Sequence, residues 1–386
     1  MQWGLSLRER GDTTTLRQPR ELGCYSRTAS DEVYVNDDRN LSYYYFPDEL
    51  VGRQFNLSHG FERFQDRNRT IRDTCSLRGL LGVIQDVEEK RGKRLSADIV
   101  TFRGIIRKVI SAAIEPPRRN DRPLELQVLV FDGQVFIKDV AYPERDSVTV
   151  PSFTGYKFET LTTIPRPLPY MDREAVESRF EKTVGNGDEY AIAVTTGIGA
   201  CKMVLGAEVD GVFDFKEHSD GDADGPVRAV DNLQHYLELK CTMDIRNEAD
   251  AAAFEGKMFR TWLQCFLVGV PRIIYGFRNR QYLLQTVEEY TTADIPQMVG
   301  SHNPQLHSAF RDAIRWYGRF TEWLLQVIPR GDRQATTRAY RLVSDPRVSG
   351  KLQLIEVPSG SDEYTEMVNN EEFLNSGFKE WRRSLW

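Results

Sequence analysis

The segment EYAIAVTTGIGACKMVLGAEVDGVFDF, residues 189–215, most narrows the folds open to this chain. It reads as a strand, a glycine turn at Gly197-Ile198-Gly199 and a second strand. The glycines bear a partial likeness to a nucleotide-binding loop. The third glycine of such a loop is missing, however, and a strand rather than a helix follows, so a dinucleotide or P-loop site is set aside.

The rest of the chain mixes both periodicities. Helices are predicted over 71–90 and over 98–114, the latter with Ile99, Phe102, Ile106, Val109 and Ala113 at helical spacing. LELQVLVF and QVFIKDV flank Asp132-Gly133 as a hairpin. Asp172 is placed to cap a helix running to about Val184. A strand is expected over 233–242, then a helix over 250–268 with Phe254, Met258, Trp262 and Phe266 on one side. Strands begin at PRIIYGF and end at TVEEY, a helix covers 305–328, RAYRLV and KLQLIEV are strands, and a short helix closes the chain. With no repeat, long linker or low-complexity tail, the expectation is one α+β unit over 1–386, a mixed β-sheet core flanked by helices.

Forty per cent of the 386 residues are hydrophobic, enough for a large core, yet no apolar run approaches the roughly 20 residues of a membrane span. The first residues, MQWGLSLRERGD, carry charges where a signal peptide needs an apolar stretch, so a soluble intracellular protein is expected. Five scattered cysteines without a CxxC pair argue against a disulfide framework or zinc ribbon, and five histidines show no HExxH spacing. A net charge of −6 disfavours a protein that coats nucleic acid nonspecifically, but suits an enzyme with acidic metal ligands and a local basic patch.

Between Glu208 and Lys240 there are nine carboxylates. Asp220, Asp222, Asp224, Gly225 and Asp231 occupy positions 1, 3, 5, 6 and 12 of a calcium loop. Position 12 lacks the longer glutamate, and strands rather than helices flank the segment, which favours a solvated loop. Glu208-Val-Asp210 and Glu238-Leu-Lys240 rest on strand alternation instead. In each triplet the outer residues share a face, and if the strands are hairpin neighbours, three carboxylates and an ammonium converge. Such a cluster repels itself unless protonated or bound to a cation, and hard oxygen donors suit Mg²⁺ or Mn²⁺. A surface ladder of charges is the plainer alternative on spacing alone. Upstream, Gly155-Tyr-Lys157-Phe-Glu159 offers a further acid with a basic neighbour.

The order acid, long gap, ExD, loop, ExK resembles the PD-(D/E)xK nuclease core. GYKFE, GAEVD, LELK and WLQCF, preceded by TFRG, resemble the eukaryotic DXO family of RNA 5′-end decapping nucleases. The likeness runs from SLRGLL to GFKEW and takes in LRQPRELGCYSRT and SYYYFPDE. Within the family the chain is most similar to the nuclear yeast member that binds the Rat 5′→3′ exoribonuclease, especially over FRTWLQCFLVGVPRIIYGF and AIRWYGRFTEWLLQVIPR.

This resemblance implies that Glu159, Glu208, Asp210 and Glu238, with the backbone carbonyl of Leu239, hold two Mg²⁺ or Mn²⁺ ions. It places Lys240 beside the attacked phosphate and Arg103 and Gln264 against the RNA end, with Glu208 also touching substrate. It implies hydrolysis of triphosphate ends, incompletely methylated caps and NAD caps to 5′-monophosphate RNA, in the nucleus, alongside the exoribonuclease. A mainly non-catalytic stabilising partner of that enzyme, or a DNA endonuclease on the same core, are the alternatives.

From spacing alone, Gln264 shares a polar helix side with Lys257 and Arg260, which faces either phosphates or water, and belongs to no acidic triplet. Arg103 and Arg107 form a similar side on their helix. KRGKR at 90–94 reads as a solvated helix end, and Tyr43-Tyr44-Tyr45-Phe46 as strand core. After Glu159, three prolines within five residues preclude a helix or a central strand. Ile164, Leu168 and Tyr170 are therefore expected partly uncovered at a sheet edge, either on a stiff connector or as a docking patch for the exoribonuclease.

Overall fold

The computed structural model describes the chain except residues 72, 117–121, 141–146, 218–230, 332–335, 346–349 and 386. Among the described residues there are two sheets. The larger has ten strands in the order Gln2–Ser6, Lys351–Val357, Arg338–Ser344, Leu124–Phe131, Gln134–Asp139, Ile99–Phe102, Cys201–Glu208, Glu189–Ile198, Leu16–Arg27 and Val33–Val35. The smaller has six, in the order Leu284–Thr291, Arg272–Arg278, Tyr236–Met243, Gly211–Val212, Tyr43–Tyr44 and Thr163–Ile164. Ile99–Phe102 runs parallel to both its neighbours, and Tyr236–Met243 is parallel to Arg272–Arg278. These are mixed sheets with helices against them, the α+β class expected.

Apolar periodicity placed most elements. Asp132 and Gly133 both take positive φ, 50° and 70°, as a two-residue hairpin turn between right-twisted strands requires. The helix Glu248–Phe266 starts where the Asn247 side chain accepts from the backbone of Asp250, and buries Phe254, Met258 and Trp262; Phe266 stacks on Trp262. The helix Pro304–Val327 buries Phe310, Trp316 and Phe320. These rings join Ile106, Val109, Ile192, Leu205 and Tyr236 in the largest apolar cluster.

Four expectations need correction. The helix predicted over 98–114 is a strand, Ile99–Phe102, followed by a helix, Arg103–Ile114. Ile99 and Val100 are buried between two parallel strands, and that pairing outweighs the helical spacing that Ile99 shares with Phe102 and Ile106. The helix predicted from 71 begins at Arg78, because buried Lys138 grips Asp73 at 2.7 Å and Asp73 accepts from the backbone of Cys75 in a turn. The helix after Asp172 spans only Arg173–Glu177, with a single 3₁₀ turn at Arg179–Glu181. The buried Arg179 guanidinium there binds carbonyls of Leu161 and Val176 and fixes the break. Finally, Ile164 is buried at 3% exposure, since Thr163–Ile164 pairs with Tyr43–Tyr44; Leu168 and Tyr170 are exposed as expected, at 44% and 75%.

Candidate active site

The acids meet where the two sheets adjoin. Glu208 ends a strand of the larger sheet, Val209 is buried, and Gly211–Val212 already belongs to the smaller sheet. The two triplets are therefore only partly a hairpin: Gly211 and Val212 pair antiparallel with Leu237 and Tyr236, while Glu208 pairs with Ala191 across the other sheet. Asp210 sits at the crossing, where its Oδ2 accepts from the backbone N–H of Leu239 at 2.7 Å.

Glu238 is the hub, at 1% exposure. Its Oε2 accepts from Arg103 Nη2 at 3.0 Å, and its Oε1 accepts from both Lys240 and Gln264. Lys240 also donates to the Leu239 carbonyl at 3.1 Å and lies 3.8 Å from Asp210. Arg103 reaches Glu238 because the strand Ile99–Phe102 delivers it to the first turn of its helix. Gln264 belongs to no acidic triplet, but in the last turn of its helix it donates to Glu238, one of the acids. Lys257, on the same helix side, donates to Thr242 Oγ1 at 2.6 Å, and Arg260 pairs with Glu115.

Glu159 arrives on the helix Val150–Thr162, whose start is fixed by a capping box between Thr149 and Ser152. Lys157 does not assist it. Two residues apart on a helix point to different sides, and Lys157 donates to the carbonyl of Phe180 away from the acids. Asp220, Asp222, Asp224 and Gly225 lie outside the described residues. Asp231 spends its carboxylate on the backbone N–H groups of Leu233 and Glu21.

Charge is unbalanced in this cluster. Burial, then Asp210, raises the Glu159 carboxyl well above the ordinary range. Burial, then Glu238, pushes Asp210 up to about 7. Glu208 opens onto a cavity but is still raised, by its enclosure and by Glu189. Burial would raise Glu238 too, but Lys240 and Arg103 outweigh it and hold this carboxylate ionised. Lys240 is in turn raised despite burial, by Glu238 and Asp210. Among the described residues, no three acidic, histidine or cysteine side chains already close around one metal-sized point. The donor set nonetheless fits a hard cation: all oxygen, four carboxylates and the Leu239 carbonyl, with repulsion between neighbouring carboxylates adding to burial in raising three of the acids.

A cavity of about 260 Å³ adjoins Glu208, Arg103 and Gln264. A wider groove of about 710 Å³ runs past Thr160 and Thr163, next to Glu159 along its helix. Arg67 lines both. Sequence reading missed the buried Arg27–Glu189 pair and Arg67 beside it, which line the cavity. Glu189 gave no signal beyond starting a strand.

A mixed sheet carrying ExD and ExK acids beside a helix-borne glutamate defines a PD-(D/E)xK nuclease. Residues 17–379 match the family described as RAI1 like PD-(D/E)XK nuclease, and the chain belongs to that family. It is 47% identical over 397 residues to the decapping nuclease RAI1 of Saccharomyces cerevisiae, covering 99% of this chain and 98% of that one. The crystal structure of Candida albicans Rai1 with pU5 and Mn²⁺ matches with a TM-score of 0.84 and 34% identity over the whole of both chains. That of Scheffersomyces stipitis Rai1 with (3′-NADP)⁺ and calcium ion matches with a TM-score of 0.82 and 33% identity, over 99% of this chain and all of that one.

Proposed function

We propose that this protein hydrolyses defective RNA 5′ ends at the first phosphate of the chain. The observation that carries this is the meeting of Glu159, Glu208, Asp210 and Glu238 with Lys240, Arg103 and Gln264 where the sheets adjoin. The names and ligands of the relatives, decapping nucleases and Rai1 proteins holding pU5 with Mn²⁺ or (3′-NADP)⁺ with calcium, support the substrate class.

Mg²⁺ or Mn²⁺ bound by the four carboxylates and the Leu239 carbonyl would supply Lewis acidity toward the phosphate and ease loss of a proton from water. The protein's own cations do the remaining work. Lys240, fixed between Glu238 and Asp210, aims its ammonium at the charge that grows on the phosphoryl oxygens. Arg103 and Gln264, held by the same carboxylate, orient the phosphate so that water attacks in line. From a triphosphate end the bond between the first and second phosphates breaks, and its electron pair leaves with pyrophosphate. From a capped end the attacked phosphate is the one that joins the cap's own nucleotide to the rest of the chain. The electron pair then leaves on that nucleotide's 3′ oxygen, so that the unmethylated or NAD cap departs intact. The RNA retains a 5′-monophosphate, the end that a 5′→3′ exoribonuclease requires.

Triphosphate-ended RNA incubated with Mn²⁺ tests the reading. Release of pyrophosphate with a 5′-monophosphate product is expected. Internal cutting of duplex DNA, or no turnover, would overturn it.

The nuclear Rat exoribonuclease is the proposed partner, docking on the exposed pair Leu168 and Tyr170 rather than on buried Ile164. A single 3₁₀ turn that follows Pro167 and contains Pro169 presents this pair, so it loses little entropy on binding. Leu168→Asp is expected to weaken co-purification with the exoribonuclease by about tenfold or more, the scale of a desolvated apolar anchor. Triphosphate hydrolysis by the isolated protein should change less than about twofold, because the patch lies outside the acidic site. Unimpaired complex formation would place the interface elsewhere.

A further inference from the structure

The cavity beside the acids carries more positive charge than one attacked phosphate uses. Arg103 is neutralised through Nη2 by Glu238, but its Nη1, on a side chain only 5% exposed, has no hydrogen-bond partner. The Thr74 hydroxyl, on the same wall, is also buried without a partner. Lys108 is tied to Asp139. Arg107 stands one helical turn beyond Arg103 and lines the same cavity.

Among the described residues, no hydrogen bond or ion pair engages Arg107. Glu115, the carboxylate that most favours its charge, binds Arg260 at 2.6 Å instead. Burial lowers the proton affinity of Arg107, and Arg103 and Arg260 lower it further. A half-buried guanidinium without a counter-ion, beside two unsatisfied donors, is organised for an anion with several oxygens. One turn of helix, about 5.4 Å, is within the span of a polyphosphate.

We propose that Arg107, with Arg103 Nη1 and the Thr74 hydroxyl, forms a subsite for the phosphates that leave. Its occupant is the second phosphate of a triphosphate end. This rests on the proposed 5′-end hydrolysis. The division of space supports the assignment: the 260 Å³ cavity has room for a departing group, whereas the 710 Å³ groove on the Glu159 side, lined by Arg63, Arg69 and Lys182, has room for the RNA body.

The test is calorimetric titration of the full chain with inorganic pyrophosphate and, separately, with 5′-monophosphate pentauridylate. It compares wild type, Arg107→Ala and Arg107→Lys, each checked by thermal melting. Loss of a charge-assisted fork predicts about tenfold or greater weakening of pyrophosphate binding by Arg107→Ala, with only partial recovery in Arg107→Lys. Pentauridylate binding should stay within about twofold, because its single end phosphate lies at Arg103. Parallel weakening of both probes would assign Arg107 to the RNA body, and unchanged pyrophosphate binding would remove the subsite altogether. Failure of the activity reading appears separately, as absent pyrophosphate release by wild type from triphosphate-ended RNA.

Discussion

Glu238→Gln is expected to lower turnover of triphosphate-ended RNA by on the order of 10³-fold while the protein stays folded. Three side chains, Arg103, Lys240 and Gln264, take their positions from this one carboxylate. The amide keeps a single acceptor oxygen, so it can still accept either from Lys240 and Gln264 or from Arg103 but not from both sides, and it supplies no negative charge to a cation or to Lys240. Single-turnover release of pyrophosphate with Mn²⁺, beside a thermal melt, measures both effects, and near-normal turnover would dismiss the acidic site.

Glu238→Ala should behave differently from a simple loss of charge. Removing charge from an acidic cluster normally relieves repulsion. Here it also strands the buried Arg103 guanidinium, a situation that costs about 3–5 kcal/mol. Alanine should therefore lose both activity and stability. Asp210→Ala should lose activity with a smaller stability change, on the order of 1 kcal/mol, for its bond to the Leu239 N–H.

The largest purely structural effect is expected at Arg382, close to the end of the chain and far from the acids. Its guanidinium is fully buried. Nε and Nη2 grip Glu88 at 2.6 and 2.7 Å, and Nη1 holds Asp132 at 3.0 Å and Gln134 at 2.9 Å. Glu88 and Asp132 are themselves without solvent exposure. Among the described residues, Arg382→Ala leaves Glu88 with the Trp381 indole and the Leu95 N–H, and it takes from Asp132 a buried counter-charge that Arg94, on its other side, supplements. A loss of about 3–5 kcal/mol follows, read as a fall in the urea midpoint. Arg382→Met combined with Glu88→Leu should recover much of it, because apolar groups of similar volume need no counter-charge. A change in Arg382→Ala below about 1 kcal/mol would mean that water enters and solvates the acids.

The sequence by itself determined the local elements. Alternation around Asp132-Gly133, the Phe254–Met258–Trp262 stripe and the apolar strands on either side of Gly197 follow from periodicities that each segment carries within itself. It also determined which acids to suspect, because ExD and ExK alternate on strands wherever those strands are placed. Tertiary structure decided what these residues do. Ile99 and Phe102 fit a helix as well as a strand, and only burial between two parallel neighbours chose the strand, which in turn set Arg103 against Glu238. Val209 can pack behind Glu208 and Asp210 in one hairpin. Only the second sheet made the chain cross there and brought the acids together from both sheets. Gln264 looked separate from the acids because its partner Glu238 lies on a different element, and the grip of Arg382 on Glu88 spans 294 residues. Such pairings have no local signature: the charge that one buried side chain needs is supplied by another whose position depends on every element packed between them.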